Sequence, residues 1–535
     1  MRFVVHVLAA LGLLLAAAAP SYAACGDNPG DAAAVAATRA QIAQQCPCSS
    51  FKSHGAYVRC ASGVASQAVN AGTLSEECAE VVVNCAGNST CGTRGAVTCC
   101  QTDATGATTC SVKSRASACK APAGAYRGAG QPEAVFAIER AMDHLAQTLR
   151  IDPGELRRRN FVGRDEFPWE VGTASAQVPV TYDSGDYEGA LDAALELARY
   201  EERRAAQAVE RGKGEGGRLL GIGIAAYVLL TGLGPHEGAV LRVDPGEGVL
   251  LVTGASPHGQ GTATMLAQVV ADELGVQPHE VVVRHGDTAL IPFGVGTYAS
   301  RNAVVAGNAA LIAARAVATK ARRLAAHLLE VSDADLELAD SVVRVVGAPD
   351  RCLSLAELAR ACAPGAPLPD GMDPGLEATH YFPAPRATFA SGVHVATVEI
   401  ERETGRIEIL DYTVVSDAGR VINPLIVEGQ IHGGVAQGVG GALYEELVYD
   451  DHGQPRTQSL LEYVMPTAEQ VPSMRIANLI TPSPLNPLGV KGVGEAGALA
   501  PPAAIAAAVE DALRPFGARI TGTPLRPEDI FRLMR

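Results

Sequence analysis

The chain has 535 residues, more than one compact core holds, so several domains are expected. Its hydrophobic fraction of 47% is that of a globular protein, and 43 Lys plus Arg against 58 Asp plus Glu leave a net charge of −15. That balance excludes a general nucleic-acid binder, whose footprint is basic. Arg157-Arg158-Arg159 and Arg203-Arg204 are too short to reverse it and read as solvated helix faces.

Met1–Ala24 carries one early arginine, a mostly apolar run from Val4 to Ala19, and Ser-Tyr-Ala-Ala before Cys25. The pattern predicts a secretory signal peptide over 1–24, and hence a secreted or periplasmic protein. The run is shorter than the roughly 20 residues that a membrane span needs, so no membrane span is expected. Eleven of the 13 cysteines precede residue 120: Cys25, Cys46, Cys48, Cys60, Cys78, Cys85, Cys91, Cys99, Cys100, Cys110 and Cys119. Only Cys352 and Cys362 follow. Dense cysteines behind a signal peptide predict a disulfide-rich segment over 25–120, with one cysteine left over or bonded to another chain. Cys46-Pro-Cys48 and the Cys99-Cys100 pair leave a metal site open as the lesser alternative, since no Cys-x-x-Cys has a matching second pair. The segment is poor in aromatics and buries little, so it would lean on its bridges.

The remaining chain reads as mixed α and β. Val135, Ile138, Met142, Leu145 and Leu149 fall at helical spacing behind Pro132. Val240–Val243 and Val249–Val252 flank Asp244-Pro245-Gly246-Glu247-Gly248, which predicts a hairpin. Val393–Ile400 and Arg406–Val414 flank Glu403-Thr404-Gly405, which predicts a second. Each leads to a glycine–glutamine loop and a helix: Gly259-Gln260-Gly261 before Thr262–Leu274, and Gln437-Gly438 within Ile431–Leu447. This weak internal repeat suggests two similar lobes around one large ligand. Gly489–Gly497 then sets a single carboxylate, Glu495, among four glycines. Glycine lets a ligand approach the main chain closely, and a lone acid there can act as a general base.

Ala125–Ala134 (Ala-Tyr-Arg-Gly-Ala-Gly-Gln-Pro-Glu-Ala), Ser256–Gly261, Gly286–Thr288, Thr297–Arg301, Gly433–Gly438 and Gly489–Gly497 occur in that order. In this order they resemble the molybdopterin-binding large subunit of the xanthine dehydrogenase, aldehyde oxidase and carbon monoxide dehydrogenase family. The resemblance covers Ala121 to Arg535. It implies an α+β fold of molybdopterin-binding lobes preceded by the disulfide-rich segment. A remnant of the first lobe is placed at 121–180 and a second molybdopterin-binding domain at 181–535. It implies molybdopterin, plain or as the cytosine dinucleotide, with [2Fe-2S] and FAD carried by partner subunits.

The resemblance makes Glu495 the catalytic base of an aldehyde or N-heterocycle hydroxylase that takes its oxygen from water. The cofactor would lie against Arg127, Gly128, Gly259, Gln260, Gly261, Thr288, Ser300, Arg301, Gln437 and Gly494. Gln260 and Gln437 can each give a donor and an acceptor to a pterin edge, Ser300 can hold a phosphate, and Arg127 can pair with an oxyanion. The metal is held by the pterin, so no protein ligands to it are expected.

Five departures stand out. Ala129 occupies the place of the aromatic that stacks on purines in purine-oxidising relatives. Gly128 replaces the cysteine of carbon monoxide dehydrogenases, and Gln131 stands where many relatives have arginine. The family's amino-terminal domain and its Gly-Gly-x-Phe-Gly covering loop have no counterpart, which predicts a truncated subunit with an open, poorly active site. A general secretory signal is also at odds with a cofactor inserted in the cytoplasm, where the family part alone would be placed. A secreted disulfide-rich binding or structural protein with an inert tail, or a chimeric reading frame, therefore stay open beside the enzyme.

Overall fold

Two hairpins organise the part of the chain that carries the candidate site. A computed structural model describes residues 31–47, 54–87, 97–102, 108–113, 126–175 and 178–535, so the predicted signal peptide lies outside the described residues. The chain divides into two compact units, one of 1–124 with 446–463 and one of 125–445 with 464–535.

In the first unit, helices Asp31–Gln45, His54–Asn70 and Glu76–Gly87 precede a hairpin of Val97–Thr102 and Thr108–Lys113. Its core is built from small residues, among them Ala61, Val64, Ala65 and Val82. Cys46 and Cys60 form a disulfide, so at Cys46 the metal alternative does not hold.

The second unit opens with helix α1 (Gln131–Leu149) and the shorter helix Pro153–Arg158, then α2 (Tyr187–Leu197) and α3 (Tyr200–Gly212). Strand β1 (Leu219–Thr231) precedes the first hairpin, β2 (Glu237–Asp244) and β3 (Gly248–Thr253). Helix α4 (Thr262–Leu274), strand β4 (Val281–His285) and the long helix α5 (Asn302–Leu329) follow. Strand β5 (Glu377–Phe382) precedes the second hairpin, β6 (Thr388–Ile400) and β7 (Ile407–Asp417). Helix α6 (Pro424–Leu443), strand β8 (Met474–Leu479) and helix α7 (Pro501–Ala512) complete it.

The internal repeat is visible in the topology. One sheet runs β5-β2-β3-β4 and the other β1-β6-β7-β8. In each, an antiparallel hairpin is followed by a helix and a strand parallel to the hairpin's second strand. The outer strands are exchanged. β1, which precedes the first hairpin, pairs along its whole length with β6 of the second, from Leu219 opposite Ile400 to Thr231 opposite Thr388. β5, which precedes the second hairpin, pairs with β2 of the first. Neither sheet is complete without a strand from beside the other, which couples the two lobes.

Helix α7 lies directly on β1. A Cβ on Gly221 would sit 1.8 Å from the Ala508 carbonyl oxygen, and one on Gly223 would sit 2.1 Å from that of Ala504. Alanine on α7 and glycine on β1 bring the two backbones together. Val435, Val439, Ile505 and Val509 are fully buried in this core. Helix α5 is long and apolar enough to cross a bilayer by length and composition, but Val304, Val305, Leu311, Val317 and Leu324 pack in the core of the other lobe.

Two expectations need correction. The arginine runs are not simply solvated: Arg157 is fully buried between Glu139, at 2.7 Å, and Asp143, at 2.9 Å. Arg204 is largely covered and pairs with Asp511 at 2.6 Å. The helix predicted to run to Leu447 ends at Leu443, leaving Glu445 and Glu446 half-buried beyond it. Tyr444 caps it with a φ of −131°, outside helical values.

Candidate functional site

The loop Gly489–Gly497 is held from behind by buried polar groups. Lys491 is fully buried, and its ammonium donates to Asp417 Oδ2 at 3.0 Å, to the Ser184 carbonyl at 3.0 Å and to Thr481 Oγ1 at 2.9 Å. Asn486 Oδ1 accepts from the Val490 N–H at 3.1 Å and from Asn308 Nδ2 at 3.1 Å. The Gly492 N–H donates to Thr231 Oγ1 at 3.1 Å, at the end of β1. A Cβ on Gly492 would lie 1.9 Å from the Ser300 carbonyl oxygen, so glycine is required for the two loops to touch.

Three loops then meet at one carboxylate. Glu495 Oε2 accepts from the Ser300 hydroxyl at 2.7 Å, and Oε1 accepts from the Gly128 N–H at 3.2 Å. The Glu495 N–H donates back to Ser300 Oγ at 3.1 Å. Ala299 and Ser300 have φ values of +46° and +48°, and Gly128, Ala129 and Gly130 have +101°, +48° and +87°. Non-glycine residues adopt this region only where surrounding contacts over-determine it, and such strain gathers at functional sites.

Arg127 fixes the base of the arrangement. Its Nε donates to the Gly494 carbonyl at 2.6 Å, and Nη2 donates to the Gln430 carbonyl at 3.0 Å and to Gln430 Oε1 at 3.2 Å. Burial pulls the guanidinium below its ordinary pKa, against the opposing pull of the Glu495 charge. Arg127 therefore ties α6 to the glutamate loop through Nε and Nη2. The Ser300 hydroxyl is bonded to Glu495.

The other expected positions divide. Gly259, Gln260 and Gly261 lie in the loop before α4. That loop is joined to the Ser300 segment by Asn302, whose Nδ2 donates to Thr262 Oγ1 at 3.1 Å and to Thr297 Oγ1 at 2.7 Å. It also touches α6: a Cβ on Gly261 would meet Ile426 Cδ1 at 2.8 Å. Gln437 is not in a loop but in the middle of α6, because Gly434 and Gly438 serve close packing and not chain reversal. A Cβ on Gly434 would lie 2.6 Å from the Gly497 Cα, and one on Gly438 2.6 Å from Pro501 Cβ. Gln430 and Gln437, two turns apart, share one face of α6.

Thr288 is exposed in the loop after β4, with no hydrogen bond to the Glu495 cluster among the described residues. Arg301 is fully buried. It pairs with Glu237 at 2.7 Å and donates to the carbonyls of Leu233, Gly296 and His236, so it shapes the loop from inside.

Sequence reasoning missed Gln430, Lys491, Asp417 and Asn486. The spacing of Gln430 from Gln437 could have found it; nothing in a glycine-rich stretch marks Lys491 as buried.

The residues present fit a pterin. Gln260 Oε1 accepts from the His258 N–H at 2.8 Å, while its Nε2 is buried without an acceptor. Asn302 Oδ1 is buried without a donor. An unmatched buried amide group costs about 1–3 kcal/mol, and a pterin edge offers both donors and acceptors.

Two molybdopterin cofactor-binding domain models match the chain, one over residues 193–472 and one over 81–161. The second match begins inside the cysteine-rich segment. The 6-hydroxypseudooxynicotine dehydrogenase complex subunit gamma of Paenarthrobacter nicotinovorans is 40% identical over 413 residues, covering 77% of this chain and 51% of the relative. The carbon monoxide dehydrogenase large chain of Hydrogenophaga pseudoflava is 37% identical over 411 residues, covering 74% and 50%. The structure of quinoline 2-oxidoreductase from Pseudomonas putida 86 superposes with a TM-score of 0.71 at 38% identity, covering 78% of this chain and 53% of that one. The chain spans about half the length of these relatives. On this match and this fold, the chain belongs to the molybdopterin-binding large-subunit family of the molybdenum hydroxylases.

Proposed function

We propose that the second unit is the catalytic part of a molybdenum hydroxylase that oxidises an aldehyde or an N-heterocycle with oxygen from water. The observation that carries this is the Glu495 carboxylate, which receives the Ser300 hydroxyl and the Gly128 N–H and donates to neither. Both donors approach the carboxylate oxygens and hold the side chain in one orientation, so its position is fixed for proton transfer. When bound, molybdopterin, plain or as its cytosine dinucleotide, supplies the metal centre that accepts two electrons from the substrate. Glu495 takes up the proton released as water oxygen is transferred. Ser300 and Gly128 aim the carboxylate, and Arg127 fixes the backbone beneath it. Gln260, Asn302 and Gln437 meet the pterin edge. An iron–sulfur and an FAD subunit would carry the electrons onward.

Gly128 and Ala129 leave neither a cysteine nor an aromatic face beside Glu495, which supports a substrate class other than carbon monoxide or purines. The signal-like residues 1–24 support export, and the family part alone supports the cytoplasm.

Metal analysis after expression in a host that makes the cofactor tests the reading. We expect little molybdenum on the chain alone, and stoichiometric molybdenum when it is co-expressed with the amino-terminal half of a relative. No molybdenum in either case would contradict it.

A further inference from the structure

We propose a second ligand site, remote from the Glu495 cluster and independent of its chemistry: a pocket for a small phosphate-bearing anion between α1, α3, β1 and α7. The pocket has a volume of about 740 Å³. That lies within the roughly 300–1,000 Å³ that small-molecule sites occupy. Arg140, Arg150, Arg204, Arg211 and Arg514 line it, against only Asp143, Asp152 and Asp511. In a chain of net charge −15, this is a local excess of positive charge.

The carboxylates are already spent. Asp143 accepts from Arg140 at 2.8 Å and from Arg157 at 2.9 Å. Asp152 Oδ1 caps the helix Pro153–Arg158, and Oδ2 accepts from the Tyr200 hydroxyl at 2.7 Å. Asp511 Oδ2 accepts from Arg204 at 2.6 Å and Gln207 at 2.7 Å, and Oδ1 accepts from Arg211 at 3.0 Å. Nothing is left to neutralise Arg150 and Arg514, which are exposed at the pocket and form no ion pair among the described residues.

Two guanidiniums also hold donors that the protein does not satisfy. Arg140 is 5% exposed and pairs with Asp143 and Glu510, yet its Nε is buried with no hydrogen bond. Arg211 Nε is buried with none. Leaving such donors unmet is unfavourable, and an oxyanion removes the deficit. The planar guanidinium fork binds oxyanions through two oxygens at once, and several forks converging on one pocket suit the tetrahedral oxygens of a phosphate better than the two of a carboxylate. The room beyond the donors exceeds what inorganic phosphate fills, so the ligand class is a phosphorylated small molecule of nucleotide size.

The test is calorimetric titration of the full chain with pyrophosphate, AMP and adenosine, with sodium chloride as an ionic-strength control. The variant is Arg150→Ala with Arg514→Ala. Both arginines are exposed, so circular dichroism should show the fold unchanged. We expect saturable binding of AMP and pyrophosphate, none of adenosine or chloride, and affinity weakened by at least about tenfold in the double variant. Glu495→Gln should bind as wild type, since the site is elsewhere. Absence of saturable binding, equal binding by the double variant, or adenosine binding as tightly as AMP would overturn the proposal.

Discussion

Ser300 and Glu495, 195 residues apart, are joined by two hydrogen bonds of opposite sense: the serine hydroxyl donates to Oε2 at 2.7 Å, and the glutamate N–H donates to Oγ at 3.1 Å. The serine therefore sets both the backbone and the carboxylate of the candidate base. It does so from a backbone at φ +48°, a conformation that costs about 1–3 kcal/mol for a residue with a side chain.

Ser300→Ala should lower stability by about 1–2 kcal/mol in urea unfolding, because the Glu495 N–H loses its acceptor. Ser300→Gly removes the same hydroxyl but relieves the positive φ, so it should lose less. If the glycine variant were the less stable of the two, the hydrogen bonds and the strain would not be the terms at work.

Lys491→Met should cost about 3–5 kcal/mol, since it leaves Asp417 buried without its cation. Adding Asp417→Asn should recover part of that loss by removing the stranded charge. Urea unfolding of the single and double variants measures both. A loss below about 1 kcal/mol in the single variant would mean that the loop is not anchored here.

His394 gives a pH dependence. It is fully buried, its Nδ1 lies 3.0 Å from the Tyr412 hydroxyl, and burial pulls its pKa down to about 3. In the unfolded chain it titrates near 6.5, so between these values the unfolded state binds the extra proton. Its contribution is thus fully present above about pH 6.5 and is lost as pH falls toward about 3, with a slope near 1.4 kcal/mol per pH unit. Unfolding measured at a series of pH values should show this slope reduced in His394→Gln. An unchanged slope would assign it to other groups.

Gly223→Ala should destabilise the second unit by about 3 kcal/mol or more. The added methyl meets the Ala504 carbonyl of α7, a backbone atom that cannot turn aside. Gly246→Ala, in the exposed turn between β2 and β3 with only Asp244 Oδ1 at 3.7 Å, is the control and should cost little. Thermal unfolding of both decides it.

Both hairpins, and the helix behind each, follow from apolar periodicity and turn chemistry, which are local; the parallel strand behind each did not show in the sequence. The exchange of β1 and β5 was not legible, because it depends on which of two similar edges a strand meets. Glu495, Arg127, Gly128 and Ser300 were found through motifs, and they do converge. Their bonds within the protein were not legible, because they join loops far apart in sequence: Arg127 to Gly494 and Gln430, Ser300 to Glu495, Arg301 to Glu237. Gln437 was placed in a loop because glycine signals both turns and close helix packing. Only the tertiary neighbours, here Gly497 and Pro501, decide between them.

The most direct test is Glu495→Gln. The chain and the variant, each complemented with the amino-terminal half of a relative in a cofactor-producing host, are assayed for dye reduction with aldehydes and N-heterocycles, alongside molybdenum content. The amide keeps the shape of the carboxylate but cannot take the proton, so turnover should fall by about 10²–10⁴-fold at unchanged molybdenum content. Wild-type turnover by Glu495→Gln with its molybdenum in place would contradict the account.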